Sequence, residues 1–333
     1  MHKMAEQPEV SSQTNGHPTS QTPKVPKAGV WCPAITFFHP ETDDLCLSEQ
    51  TTYYRYLASS GLTGLVILGT NAETFLLTRE ERLTLLKTAR AAVGPDYPII
   101  AGVGGHSTKQ CLEFINDAHS AGANYVLVLP AAYFGKQTTP SVITSFYADI
   151  AARSRLPIIL YNFPAVCNGI DLDSDTITTL AKTHRNIVGV KLTCGSVGKI
   201  TRLASTFTPD EFSTFGGQSD FLVGGLASGS AGCIAAFANI FPKTVVKIFD
   251  LYTAGKHDAA LALHRLAAQA EAPTKAGIAS TKYAASLYSA KRAGIANAEA
   301  LLRPRRPYEE VGEKVKEKIR SVMDPLSEVE DTL

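Results

Sequence analysis

The stretch NIVGVKLTCG, residues 186–195, carries a lysine, Lys191, at the end of an apolar and partly β-branched run. Such a run reads as a buried strand, and burying an ammonium is costly unless it is paired or gives up its proton. A lysine without its proton is a nucleophile. It attacks the ketone of a 2-oxo acid to form an imine, and the protonated imine is an electron sink that lets the neighbouring carbon–carbon bond break or form. Tyr161 stands 30 residues earlier, near the end of another apolar run, PIILYN over 157–162. A tyrosine there can shuttle the protons of the carbinolamine and of a substrate hydroxyl. A third run, GLVILG over 64–69, leads into Gly69-Thr70-Asn71-Ala72-Glu73. That turn offers backbone N–H groups and a hydroxyl to a substrate carboxylate. Each feature also has a plainer role: Lys191 as a structural lysine paired with an acid, Tyr161 as a core tyrosine with a satisfied hydroxyl, GTNAE as a loop with a helix cap.

The elements that would position these groups follow a beat of about 30 residues. Apolar runs at 29–38, 64–69, 98–102, 124–130, 157–162, 186–192, 211–217 and 231–236 read as strands, mostly separated by helix-length segments. Ser48 is expected to cap a helix running to Ser60, and Thr78-Arg-Glu-Glu81 is a capping box for one reaching Val93. Continuous apolar strands are covered on both faces, and alternating βα units argue for a parallel sheet. Eight such units predict an α/β fold, a (β/α)₈ TIM barrel, with a doubly wound open sheet as the rival.

Strand alternation would place Val188, Val190 and Leu192 against the helices, and Gly189, Lys191 and Thr193 inside. Tyr161 would share the inner face with Ile159, and Thr70 with Leu68 and Val66. After the eighth strand, segments 239–255, 257–271, 274–292 and 307–323 all read as helical. The expected organisation is a disordered tail over 1–28, a catalytic barrel over 29–255, a helical extension over 256–323 and a tail over 324–333. The helix over Glu309–Met323 reads as exposed and laced with i,i+4 pairs.

The 333 residues carry a net charge of +1, so no bulk attraction to nucleic acid or membrane is expected. There is no long apolar run of spanning length. The N-terminal segment has neither a signal-peptide core nor the arginines of a transit peptide, and the six cysteines form no CxxC pair, so reduced thiols in the cytoplasm are expected. The eight histidines show no metal-binding spacing, and GVGG (102–105) and GGLASGSAG (224–232) are poor nucleotide fingerprints. No metal and no cofactor is therefore expected, and a nicotinamide-dependent oxidoreductase lacks its loop.

Four motifs in order, GTNAE (69–73), YNFP (161–164), GVK (189–191) and GGQSD (216–220), resemble the dihydrodipicolinate synthase/N-acetylneuraminate lyase family from about Gly29 to Pro307. The resemblance implies a (β/α)₈ barrel with a C-terminal helical extension, class I aldolase chemistry on pyruvate and a homotetramer. It makes Lys191 the Schiff-base lysine and Tyr161 the relay tyrosine. Thr70 and Asn71 fall in the carboxylate-binding and relay turn, with Gly69 and Gly217 in the substrate-binding motifs. Ile234 matches a residue lining the pyruvate pocket, and Tyr133, in AAYF (131–134), a second relay tyrosine that reaches a neighbouring subunit's site.

Two departures bear on the substrate. Val166 stands where the synthases carry an arginine for a second carboxylate, and Leu192-Thr193 replaces an Asp-Ser pair. Losing a carboxylate clamp suggests an uncharged aldehyde partner. GTNAE and IDLDSD (170–175) look more like the fungal enzymes that cleave 2-keto-3-deoxy sugar acids, with 4-hydroxy-2-oxoglutarate aldolases close by. A dihydrodipicolinate synthase-like condensation and a catalytically silent barrel that binds a 2-oxo acid are the alternatives.

Overall fold

The computed structural model describes residues 24–333, so most of the tail expected over 1–28 lies outside the described residues. Eight parallel strands close into a barrel in sequence order: β1 (Gly29–Pro33), β2 (Gly64–Ile67), β3 (Ile99–Gly102), β4 (Tyr125–Val128), β5 (Ile158–Asn162), β6 (Ile187–Leu192), β7 (Ser213–Gly216) and β8 (Gly232–Ile234), with β8 paired back to β1. Helices α1 (Leu47–Ser59), α2 (Arg79–Val93), α3 (Thr108–Ser120), α4 (Pro140–Arg153), α5 (Ser174–Thr183), α6 (Val197–Ala204), α7 (Leu222–Ala227) and α8 (Pro242–Thr253) follow them in turn. All strand residues are buried, as continuous apolar runs require when one face meets helices and the other fills the barrel. No helix of the described residues is long and apolar enough to cross a membrane.

The barrel's lower end is closed by an aromatic layer and by the chain that precedes β1. Trp31 meets Tyr125 and Phe215 edge-on, with ring centroids 6.4 and 6.3 Å away. The carbonyls of Val25, Pro26 and Lys27 accept from the Tyr125 hydroxyl, the Ser213 hydroxyl and the Trp31 indole. Residues 25–27 are thus tied to the barrel floor rather than belonging to a free tail. Gly64 is required beside this layer, because a Cβ there would lie 2.3 Å from the Trp31 ring.

Local signals fix some helix starts and not others. The Thr78–Glu81 capping box forms as expected, with Thr78 N–H donating to Glu81 and Glu81 N–H to the Thr78 hydroxyl. Ser48 does not cap α1: the helix starts at Leu47 after Cys46, which has no side-chain cap bond. Gln50 instead anchors that end, accepting from Phe37 N–H and donating to the Ile35 carbonyl.

Beyond the barrel lie α9 (His257–Glu271), α10 (Ile278–Leu287), α11 (Ser289–Arg292), α12 (Ala298–Leu301) and α13 (Glu313–Thr332). A 3₁₀ turn over Ala272–Ala276 and then Gly277, at φ 135°, separate α9 from α10, so the helix expected over 274–292 is broken into pieces. The last helix departs further from expectation. It continues through Pro325 to Thr332, so 324–332 is helix and not a tail. Ile319, Met323 and Leu326 bury one face at helical spacing, and Glu330 accepts from Lys243 N–H, Thr244 N–H and the Thr244 hydroxyl at the start of α8. That packed face replaces the fully exposed helix read from the sequence.

Candidate active site

Lys191 and Tyr161 sit opposite each other where β6 pairs with β5. The lysine is 2% exposed. Its Nζ donates to the Tyr161 hydroxyl at 3.1 Å and lies 4.3 Å from the centre of that ring. The Tyr161 hydroxyl lies 3.4 Å from Thr70 Oγ1, so amine, phenol and alcohol form one chain. No carboxylate forms an ion pair with Lys191 among the described residues.

The lysine reaches this place by a different route from simple alternation. The pairing of β5 with β6 passes from Ile158–Ile187 to Ile159–Gly189 and skips Val188. This bulge turns Val188 into the barrel interior, with Ile159 and Tyr161, while Val190 and Leu192 pack on the helix side. Val188 therefore does not face the helices as expected. Gly189 serves the neighbouring strand rather than clearing room beneath the lysine: a Cβ there would stand 2.7 Å from the Ser213 carbonyl. Thr70 also arrives unexpectedly. Leu68, at φ 66°, breaks the alternation and joins the outer core, and Thr70 is delivered by the 3₁₀ turn Thr70–Ala72.

That turn is pinned from outside the barrel. Glu73 closes it in the left-handed conformation and is buried. Its carboxylate accepts from Lys282 Nζ of α10 at 2.6 Å and from Arg305 N–H at 2.7 Å. Lys282 also donates to the Arg303 carbonyl and lies over the Phe38 ring. Burial pushes the Lys282 ammonium below the ordinary lysine range, against the pull of Glu73.

Thr70, Asn71, Tyr161, Lys191 and Gly217 line one cavity of about 720 Å³, a size suited to a small-molecule ligand. Gly69 precedes the turn, its carbonyl accepting from Ala72 N–H, and is not on the cavity wall. Ile234 packs in the barrel interior, and Ala236, two residues on, lines the cavity instead. Tyr133 is not brought to Lys191 within the chain. It is 72% exposed, in an aromatic cluster with His106 and Phe134.

Gly217 is fixed by crowding: a Cβ there would lie 2.1 Å from Thr193 Oγ1 and 2.5 Å from its Cα. We predict that Gly217→Ala destabilises the fold by about 1–3 kcal/mol, because Thr193 must move. Urea denaturation measures this directly, and an unchanged midpoint would contradict the crowding.

Sequence reasoning missed the extension's share of the cavity. Glu271, Thr274 and Lys275 line it from the end of α9 and the 3₁₀ turn that follows. Lys282 carried a readable signal, since a lone lysine amid the small residues of IASTKYAASL poses the same question as Lys191. Among the described residues, no cluster of three or more His, Cys, Asp or Glu is placed to hold a metal ion.

The chain is 67% identical to a Coccidioides immitis protein named as a mitochondrial 4-hydroxy-2-oxoglutarate aldolase, over 92% of this chain and 98% of that one. It is 38% identical to an L-threo-3-deoxy-hexylosonate aldolase of Hypocrea jecorina, over 80% and 88% of the two chains. A solved structure of a dihydrodipicolinate synthase family protein from Coccidioides immitis superposes with a TM-score of 0.89 at 64% identity, covering 94% of this chain and 100% of that one. The family model described as the dihydrodipicolinate synthetase family matches residues 27–325. The chain belongs to that family.

Proposed function

We propose that this chain is a Schiff-base aldolase that reversibly cleaves a 2-keto-3-deoxy sugar acid, such as 2-keto-3-deoxy-L-galactonate, to pyruvate and an uncharged hydroxyaldehyde. The observation that carries this reading is the buried Lys191 amine, 3.1 Å from the Tyr161 hydroxyl on the wall of a ligand-sized cavity.

The neutral amine adds to C2 of the 2-oxo acid, and Tyr161 moves the proton that lets the carbinolamine lose water. The resulting iminium accepts the electron pair of the C3–C4 bond as it breaks. The C4 hydroxyl surrenders its proton toward Tyr161, with Thr70 next in the chain, and the aldehyde leaves. Protonation at C3 and hydrolysis of the imine release pyruvate and restore the amine. The N–H groups of Thr70 and Asn71 precede the first hydrogen bond of their turn, Ala72 N–H to the Gly69 carbonyl, and suit the substrate's C1 carboxylate. No cofactor is required. Tyr133, exposed in this protomer, is assigned to a neighbouring protomer's site in a homotetramer. Six free thiols suit a reducing compartment, and the cytoplasm is the location we propose, although the Coccidioides relative's name places that protein in mitochondria.

A second reading, cleavage of 4-hydroxy-2-oxoglutarate to pyruvate and glyoxylate, is favoured by the name of that relative. The test is pyruvate release from a panel of 2-keto-3-deoxy acids and 4-hydroxy-2-oxoglutarate. The proposal predicts release from the sugar acids, and its complete absence across the panel would defeat it. Tyr161→Phe keeps the ring and loses the relay, so kcat should fall about 10²- to 10⁴-fold. Steady-state rates with the preferred acid check this, and an undiminished kcat would remove Tyr161 from the proton path.

A further inference from the structure

One wall of the cavity around Lys191 is made outside the barrel, by Glu271, Lys275 and the facing Gln218 after β7. Lys275 Nζ donates to Gln218 Oε1 at 2.7 Å and lies 2.9 Å from Asp220 Oδ2 and 3.3 Å from Glu271 Oε1. Two of these contacts are hydrogen bonds and the third, to Asp220, is an ion pair, so the ammonium is engaged on three sides. Glu271 is held in turn by the N–H and hydroxyl of Ser219, whose carbonyl accepts from His264 Nε2. The wall is therefore preset before any ligand arrives.

We infer that this wall receives the aldehyde half of the substrate and selects an uncharged, hydroxylated chain against one ending in a second carboxylate. The inference rests on the aldolase reading and names the residues that set its substrate class. Asp220 and Glu271 both pair with Lys275, and Glu271 and Glu309 place two carboxyl groups on the cavity lining itself. A substrate carboxylate arriving there would compete with Asp220 and Glu271 for Lys275 and would meet the carboxyl groups already on the lining. The other lysine on the lining is Lys191, the nucleophile, and no arginine stands there among the described residues. Val166 presents an apolar side chain to the same cavity. Alcohols fit this wall, since each can both donate and accept.

The experiment measures kcat/KM of the native chain, Asp220→Asn and Glu271→Gln on 2-keto-3-deoxy-L-galactonate and on 4-hydroxy-2-oxoglutarate. Borohydride trapping of pyruvate is run on all three proteins. The native chain should prefer the sugar acid by about tenfold or more. Each substitution removes one carboxylate from Lys275 and should raise the relative rate on 4-hydroxy-2-oxoglutarate by about tenfold. A native preference for 4-hydroxy-2-oxoglutarate overturns the inference, and so does a ratio that neither substitution moves. Trapping does not depend on this wall. Its failure in the native chain would overturn the aldolase reading, whereas successful trapping with an unmoved ratio would overturn the wall's role alone.

Discussion

Lys191→Arg should lower turnover by more than about 10⁴-fold while the protein still folds. The guanidinium keeps the positive charge and much of the aliphatic stem but does not give up its proton at neutral pH, so it cannot add to a ketone. Lys191→Met is the companion variant. It replaces a polar amine by an apolar chain of similar length at a site that is 2% exposed and has no carboxylate partner, so it should be no less stable than the native protein. Pyruvate release and thermal unfolding separate the two effects: activity lost with the melting transition retained is the expected result. Turnover within tenfold of native in either variant would mean that Lys191 is a structural lysine after all.

The second large effect is expected far from the reacting carbon. Lys282→Met should destabilise the protein by about 3–5 kcal/mol, because it leaves the Glu73 carboxylate buried without its ammonium. The pair is fully enclosed, with side-chain exposures of 0% and 2% for Lys282 and Glu73, so solvent does little to weaken it. Glu73 also sets the turn that holds Thr70, so kcat should fall with stability. Glu73→Gln alone should be destabilising, and the double substitution should recover part of the loss, since it leaves no unpaired charge. Denaturant unfolding of the four proteins gives the coupling energy. Additive losses would show that the two side chains do not act as a unit.

The barrel was legible because its strands are covered on both faces. Each therefore appears in the sequence as an unbroken apolar run, and the 30-residue step from Tyr161 to Lys191 matches one βα unit. The central pair could be found for the same reason: a lysine and a tyrosine at equivalent ends of adjacent strands must be neighbours. What escaped notice depends on exceptions to period or on distant partners. The bulge at Val188 changes which side chains face inward without leaving a mark in composition. Pro325 looks like a stop, yet α13 passes through it because Met323, Leu326 and Glu330 pay the helix back by packing against the fold. Glu73 and Lys282 lie 209 residues apart, and Glu271 and Lys275 reach the cavity only because the extension folds back over the barrel mouth. Chemistry contributed by a separate layer has no local signature in the strands it completes.

The most direct test of the central claim is reductive trapping. The native protein is incubated with pyruvate and borohydride, digested, and the modified peptide sequenced by mass spectrometry. The account predicts one pyruvyl adduct per chain, located on Lys191. Its absence, or an adduct on Lys275, Lys282 or another lysine with Lys191 untouched, would contradict it.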